Sequence, residues 1–281
     1  MTESYLREDL ALQGIPDDGT GLVEWARSLA ASAQAEDVFR SREGRKTLRF
    51  EQGGHSFFVK LHLGIGWGEI LKNLLQLRLP VLGAGNEYRA LRALQSLGVD
   101  TMSVAAFASE SGNPARLRSM IVTDDLVGTV SLEDYCANWA VQPPPWRDKL
   151  RLLLKLADSS RRMHGAGINH RDYYICHFHL APESLQQTVP RCYMIDLHRA
   201  QMRSRTPRRW LIKDLAGLYF SAMDCGLGRR DLLRFIARYA PGGLRQALGQ
   251  DKAMWLEVER RAQRLYAREH GRPAPGIGSD G

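Results

Sequence analysis

The chain has 281 residues, 44% of them hydrophobic, enough to bury a large core in one domain or two. Its formal net charge of +8 suits an anionic partner (nucleotide, phosphorylated glycan, anionic membrane surface, acidic protein or nucleic acid) without choosing among them, although dispersed arginines and the absence of a zinc-finger or RRM signature argue against nucleic acid. Four scattered cysteines with no CxxC pair argue against a disulfide framework and fit a reducing cytosol, the acidic MTESYLREDL start shows no signal peptide, and no apolar run approaches the ~20 residues that span a bilayer.

Taken in order, residues 1 to about 25 are polar and read as peripheral, apart from a short helix around Leu22 to Ala31. Three β-prone runs follow, VFRS, KTLRF and SFFVKLH, with turns at Glu43-Gly44 and Gly53-Gly54, the pattern of an antiparallel meander. EILKNLLQLRL reads as a helix ended by Pro80, and EYRALRALQSL as another, capped by Asn86 and stopped at Gly98. Glu87, Leu91 and Leu94 share one face of that helix, so a carboxylate sits at the edge of a buried stripe and calls for a cationic partner. SMIVTDDL reads as a strand, and three prolines (143–145) precede the long helix WRDKLRLLLKLADSSRRMH. A loop (GINHRDYYICHFHL), a strand (RCYMIDLHRAQ) and helices rich in Leu, Tyr and Trp complete the chain, before a GRPAPGIGSDG tail with the composition of disorder. The expected organisation is α+β: an N-terminal lobe over 1–123 built on a small antiparallel sheet, a mainly helical C-terminal lobe over 124–281, and a hinge near Thr123 to Gly128.

Phosphoryl transfer needs a cation on the nucleotide phosphates, carboxylate-held magnesium and a base beside the acceptor hydroxyl. The third strand ends in FFVK, with Lys60 last; Glu87 lies on a following helix. His170-Arg171-Asp172 follows the long helix, and 24 positions later Asp196 ends the apolar strand YMID, leaving room for a loop and a returning strand that bring both aspartates to one cleft. Each element is weak alone, and their order on these secondary structures is what carries weight.

The arrangement resembles the protein-kinase signature set: Lys60 as the strand lysine, Glu87 as its helix partner, Asp172 as the catalytic-loop base and Asp196 as the magnesium-binding aspartate. The strings KLHLGIGWGEILKNLL, HRDYYICHF, IDLHRAQ and RRWLIKDLAGLYFSA resemble, more specifically, the lipopolysaccharide core heptose kinases, over about residues 40 to 240. That resemblance implies a two-lobed protein-kinase-like fold and an ATP- and Mg2+-dependent enzyme that phosphorylates the first heptose of the inner core at its 4-hydroxyl. It implies adenine against backbone groups of Thr123, Asp124 and Leu126, and Asp214 as a structural brace for the catalytic loop. It also implies a cytoplasmic protein, peripheral at the inner membrane, acting on a heptose-bearing lipopolysaccharide acceptor; the basic surface leaves an acidic protein such as an acyl carrier protein among its candidate partners.

Several positions depart from the kinase pattern. Of the glycine-rich loop only Gly44 remains, flanked by Arg42 and Arg45. His177 stands where a magnesium-binding Asn is usual, as a weak metal ligand, a phosphate contact or a packing residue; magnesium prefers oxygen. Leu-His follows Asp196 in place of Phe-Gly, which argues against an activation switch. His170, Cys176, His177 and His179 lack a second ligand pair at zinc-like spacing. Trp67 and the leucines of 70–79 fit either core or a surface for a lipid-bearing substrate, and Arg203, Arg205, Arg208 and Arg209 either a solvated loop or a site for a phosphorylated sugar. A kinase for another acceptor and a non-catalytic pseudokinase are the alternative readings.

Overall fold

The computed structural model describes residues 3–42, 44–76, 80–110 and 112–276. Glu43, the side chain of Arg42, residues 77–79 and the last five residues lie outside that set, so the first turn, the far end of the 69–79 helix and the extreme tail are not described. The chain divides into two compact units, Met1–Ala93 with Met102–Val127, and Leu94–Thr101 with Gly128–Gly281.

The first unit contains β1 (Glu3–Leu6), α1 (Glu8–Ala11), α2 (Gly19–Ser32), β2 (Val38–Arg42), β3 (Arg45–Gln52), β4 (His55–Leu63), α3 (Gly66–Leu75), the start of α4 (Gly85–Ser96), β5 (Val104–Ser109) and β6 (Arg118–Asp124). Its six strands form one antiparallel sheet in the order β1-β5-β6-β4-β3-β2. The β3–β4 hairpin closes over Gly53 and Gly54, which both have positive φ (59° and 77°), as a two-residue loop between twisted strands requires. Alternation along β4 then sends Phe57, Val59 and Leu61 into a core with Leu22, Val23 and Ala26 of α2, each burial stabilising by about 1.5–3 kcal/mol. The same alternation puts Lys60 on the opposite face of the strand.

The N-terminal stretch is not peripheral. β1 pairs with β5 at the sheet edge, Leu10 is fully buried, and α2, capped by the Asp18 carboxylate accepting from the Gly21 N–H at 2.8 Å, lies on the core. Strand β5 itself, VAAFAS, has no period-2 signal because five of its six residues are buried. Asn86 falls inside the first turn of α4 rather than at its cap.

The second unit holds β7 (Val130–Ser131), α5 (Leu132–Cys136), α6 (Trp146–Gly165), β8 (Ile168–Asn169), β9 (Phe178–Leu180), β10 (Cys192–Met194), β11 (Gln201–Met202), α7 (Arg208–Ser221), α8 (Arg229–Tyr239), α9 (Gly243–Leu248) and α10 (Lys252–His270). Along α6, Leu152, Leu153, Leu156, Ala157, Ser160 and Met163 are buried at helical spacing. Ala157 packs in a core with Leu215 and Ala216 of α7 and Val258 and Ala262 of α10. Short strands break the segments expected as one loop and one strand: β9 pairs with β10, and β8 with β11. RCYMIDLHRAQ is not one strand because Asp196 turns left-handed at φ 61°.

Candidate active site

Lys60 and Glu87 meet inside the first unit. The Lys60 Nζ donates to Glu87 Oε1 at 2.6 Å; Glu87 is 1% exposed, and its Oε2 is buried with no hydrogen-bond partner. A buried carboxylate of this kind stays charged only with a cation beside it, and the lysine is thereby held in one place. In the same unit, Thr123 is buried in β6 and its hydroxyl points to Met102 Sδ at 3.7 Å. The Asp124 carboxylate accepts from both terminal nitrogens of Arg7 at 2.8 and 2.9 Å. The N–H groups of Asp124 and Asp125 donate to the Ser103 and Ser56 carbonyl oxygens, and Leu126 follows half-buried. Gly44 (φ 72°) packs so closely on Gly64 that a Cβ would collide with its carbonyl oxygen, and its own carbonyl oxygen accepts from the Leu63 N–H.

The second unit brings Asp172, His177 and Asp196 together around a braced loop. Asp214, fully buried on α7, accepts from the His170 N–H at 2.6 Å and the Arg171 N–H at 3.0 Å. These bonds secure Arg171 in a left-handed conformation (φ 78°), which an L side chain adopts at a cost of about 1–3 kcal/mol. Lys213 Nζ donates to the Arg171 carbonyl oxygen at 2.5 Å. Burial lowers the pKa of His170, so the neutral ring donates from Nε2 to the Ile195 carbonyl oxygen at 2.9 Å. The loop carrying Asp172 is thus tied to the strand end carrying Asp196.

Two contacts here had no signal in the sequence. Arg199 Nη1 lies 3.0 Å from both oxygens of the Asp172 carboxylate, and His198 Nδ1 donates to Asp196 Oδ1 at 2.6 Å. Both residues come from the short turn after Asp196, and only that turn's left-handed start aims them back at the aspartates. His177 stacks on His170 with centroids 5.7 Å apart; its Nδ1 donates to the Asp172 carbonyl oxygen at 2.6 Å and its Nε2 lies 3.8 Å from Asp196 Oδ2. Burial opposes a charge on this ring, but Cys176, the Asp172 carbonyl and the Asp196 carboxylate outweigh it and raise its pKa to about 9. With Nδ1 committed to that carbonyl oxygen, Nε2 is the ring atom that faces Asp196.

Among the described residues no group of three or more His, Cys, Asp or Glu side chains is placed to hold a metal ion. Asp196 with its two neighbouring imidazoles is therefore no cage, but its carboxylate fits magnesium, which commonly takes one or two carboxylates and completes its shell with water and substrate phosphates.

The profile of the lipopolysaccharide kinase (Kdo/WaaP) family matches residues 30–239. The chain belongs to that family. Curated relatives agree: a lipopolysaccharide core heptose(I) kinase WaaP of Escherichia coli is 49% identical over 233 residues, which cover 83% of this chain and 88% of that protein. The protein of the same name from Pseudomonas aeruginosa is 48% identical over 241 residues, 85% of this chain and 90% of that protein. A solved structure described as WaaP in complex with acyl carrier protein superposes with a TM-score of 0.77 at 40% identity, covering 94% of this chain and 99% of that one. The α+β organisation is thus that of a kinase family, and ATP use follows from membership.

Two further features distinguish this kinase's surface and interior. On α3, Trp67 and Leu71 are 55% and 56% exposed, with Leu74 and Leu75 also in solvent and only Ile70 buried, so the apolar stripe is largely not core. In the second unit a cavity of about 410 Å3 is lined almost wholly by apolar side chains, among them Leu153, Leu156, Leu218, Ile236 and Ala247. No helix among the described residues is long and apolar enough to cross a membrane.

Proposed function

We propose that the protein transfers the γ-phosphoryl group of ATP to the 4-hydroxyl of the first heptose in the lipopolysaccharide inner core. The observation that carries this reading is the Asp172 loop, braced by Asp214 and tied to the Asp196 strand end, in a chain 48–49% identical to heptose(I) kinases over most of its length. Asp172 takes the proton of the attacking hydroxyl, whose oxygen forms the new bond to phosphorus as ADP departs. Its carboxylate meets Arg199, so the hydroxyl has to enter beside or displace that contact. Lys60, held by Glu87, grips the α- and β-phosphates.

Magnesium, when bound, neutralises charge on the β- and γ-phosphates. Asp196 would be its main ligand, oriented by His198, with His177 Nε2 at the second position. Adenine lies against Thr123, Asp124 and Leu126. The N–H groups of Asp124 and Asp125 are already engaged, which leaves recognition to other backbone groups of this stretch.

The exposed Trp67–Leu71–Leu74 stripe supports peripheral contact with the inner membrane, where a lipid-bearing acceptor resides, at its cytoplasmic face. An acyl carrier protein is the expected acidic partner, given the solved relative described in complex with one; the apolar cavity has the chemistry to take the acyl chain such a protein carries. The reading is tested with purified protein, labelled ATP, magnesium and lipopolysaccharide from a strain lacking heptose phosphate. Label on the first heptose, assigned to its 4-position by NMR, is expected; turnover of ATP with label on no core sugar overturns it.

A further inference from the structure

Immediately beside Asp172, the second unit gathers cations around one aromatic ring. The Trp210 centroid in the first turn of α7 has the guanidinium carbons of Arg171, Arg203 and Arg209 at 5.4, 5.9 and 5.4 Å, and the Lys213 ammonium at 5.6 Å. Arg209 and Lys213 share the helix of the indole, but Arg171 and Arg203 come from separate segments, so the ring gathers more charge than helix spacing alone supplies. Among the described residues no carboxylate forms an ion pair with any of the four. Arg203 donates to the neutral Asn169 Oδ1 and Gln201 Oε1, and Lys213 to a carbonyl oxygen. The two nearby carboxylates are committed elsewhere, Asp172 to Arg199 and Asp214 to backbone N–H groups.

Two buried donors in this cluster, Arg171 Nε and Trp210 Nε1, have no hydrogen-bond partner. An unmet buried donor costs about 1–3 kcal/mol, and Arg171 also bears the left-handed strain described above. Burial, and then the like charge of Arg199, lowers the Arg171 pKa, and burial lowers that of Lys213, in both cases against the opposing pull of Asp172 and Asp214. The cluster is therefore a group of cations with no directly paired carboxylate, to which an incoming anion would add a counter-charge. Helix α7 adds its positive end, since Pro207 provides no side-chain cap.

We infer that Trp210 with Arg171, Arg203, Arg209 and Lys213 forms the acceptor subsite for an anionic saccharide, holding a carboxylate or phosphate on a sugar adjacent to the one whose hydroxyl reaches Asp172. The inference rests on the kinase reading above and adds what the acceptor must carry. Arg171 and Asp172 are consecutive, so an anion at this ring fixes the acceptor one residue from the base. The ring also pre-positions flexible side chains, which reduces the entropy lost when the anion binds.

Arg209 is the cleanest probe, being exposed on α7 with the indole as its contact. With a soluble, deacylated core oligosaccharide as acceptor, Arg209→Gln should raise the acceptor KM about tenfold, the low end for one charge-assisted hydrogen bond, with the ATP KM within twofold of wild type. Arg209→Lys should recover most of the loss and Arg209→Glu deepen it. Carboxyl-reduced and dephosphorylated acceptors separate the two anions: whichever modification raises the wild-type KM, and adds nothing on top of Arg209→Gln, removes the group recognised. An unchanged acceptor KM in both Arg209→Gln and Arg209→Glu overturns the inference while leaving the kinase reading intact. So does an effect seen only with acceptor embedded in anionic vesicles, which would assign the cluster to lipid headgroups. Wild-type protein that phosphorylates no heptose acceptor at all brings down the kinase reading, and this inference with it.

Discussion

Replacing Lys60 by Met separates the structural from the chemical role of the Lys60–Glu87 pair. Glu87 is 1% exposed, its Oε1 receives the Lys60 ammonium at 2.6 Å, and its Oε2 has no partner, so Lys60→Met strands a charge in the interior. Breaking one side of a buried pair costs about 3–5 kcal/mol. The Lys60 side chain is 23% exposed, and access of water to that end favours the lower figure, about 3 kcal/mol. At about 2–4 °C per kcal/mol for a chain of this size, Tm should fall by roughly 6–12 °C. The double variant Lys60→Met/Glu87→Leu removes the stranded carboxylate and should regain most of that Tm, as apolar replacement of a buried pair generally allows. Nucleotide affinity, measured by calorimetry on folded protein at low temperature, should be lost in both. A Lys60→Met protein that melts like wild type, or a double variant that regains ATP binding along with stability, would refute this account of the pair.

Asp214→Asn places an amide NH2 where a carboxylate oxygen now accepts from backbone N–H groups; it should lower both Tm and turnover, and normal kinetics would show that the loop needs no brace. His177→Asn removes the ring stacked on His170 and its bond to the Asp172 carbonyl oxygen, so thermal stability should drop with little change in magnesium dependence; a sharp shift in the magnesium titration instead would place the residue on the metal. Trp67→Ser with Leu71→Ser should weaken co-sedimentation with anionic vesicles without lowering Tm, since both side chains are exposed. Ala247→Phe, which projects a ring into the apolar cavity, should reduce recovery of acyl carrier protein with the purified enzyme, and equal recovery would remove the cavity from that interaction.

Which of these features could be read from the sequence follows a physical division. The hairpin over Gly53-Gly54, the long α6 and the helix carrying Glu87 were legible because turn chemistry and hydrophobic period act within a few residues. The pairing of Lys60 with Glu87 followed from motif order, and the bracing of the Asp172 loop by Asp214 from the resemblance of KDLAGLYF to the kinase pattern. Strands β1 and β5 were not legible: one is four residues at a sheet edge, the other an alanine-rich run whose partner decides its conformation. Arg199 on Asp172 and His198 on Asp196 depend on one left-handed residue, Asp196, and no local preference in YMIDLHR announces it. Exposure of the Trp67 stripe was likewise undecided, because an amphipathic period shows that a helix has an apolar face but not what covers it.

The most direct measurement is mass spectrometry of lipopolysaccharide from a strain lacking the wild-type gene and carrying either the wild-type copy or Asp172→Asn. The variant keeps the shape of the side chain and removes the proposed base, for an expected loss of about 10²–10⁴-fold in rate, with ATP binding and folding retained. The account predicts phosphate on the first heptose with the wild-type copy and its near absence with Asp172→Asn at equal protein level. Full heptose phosphorylation by Asp172→Asn would contradict it.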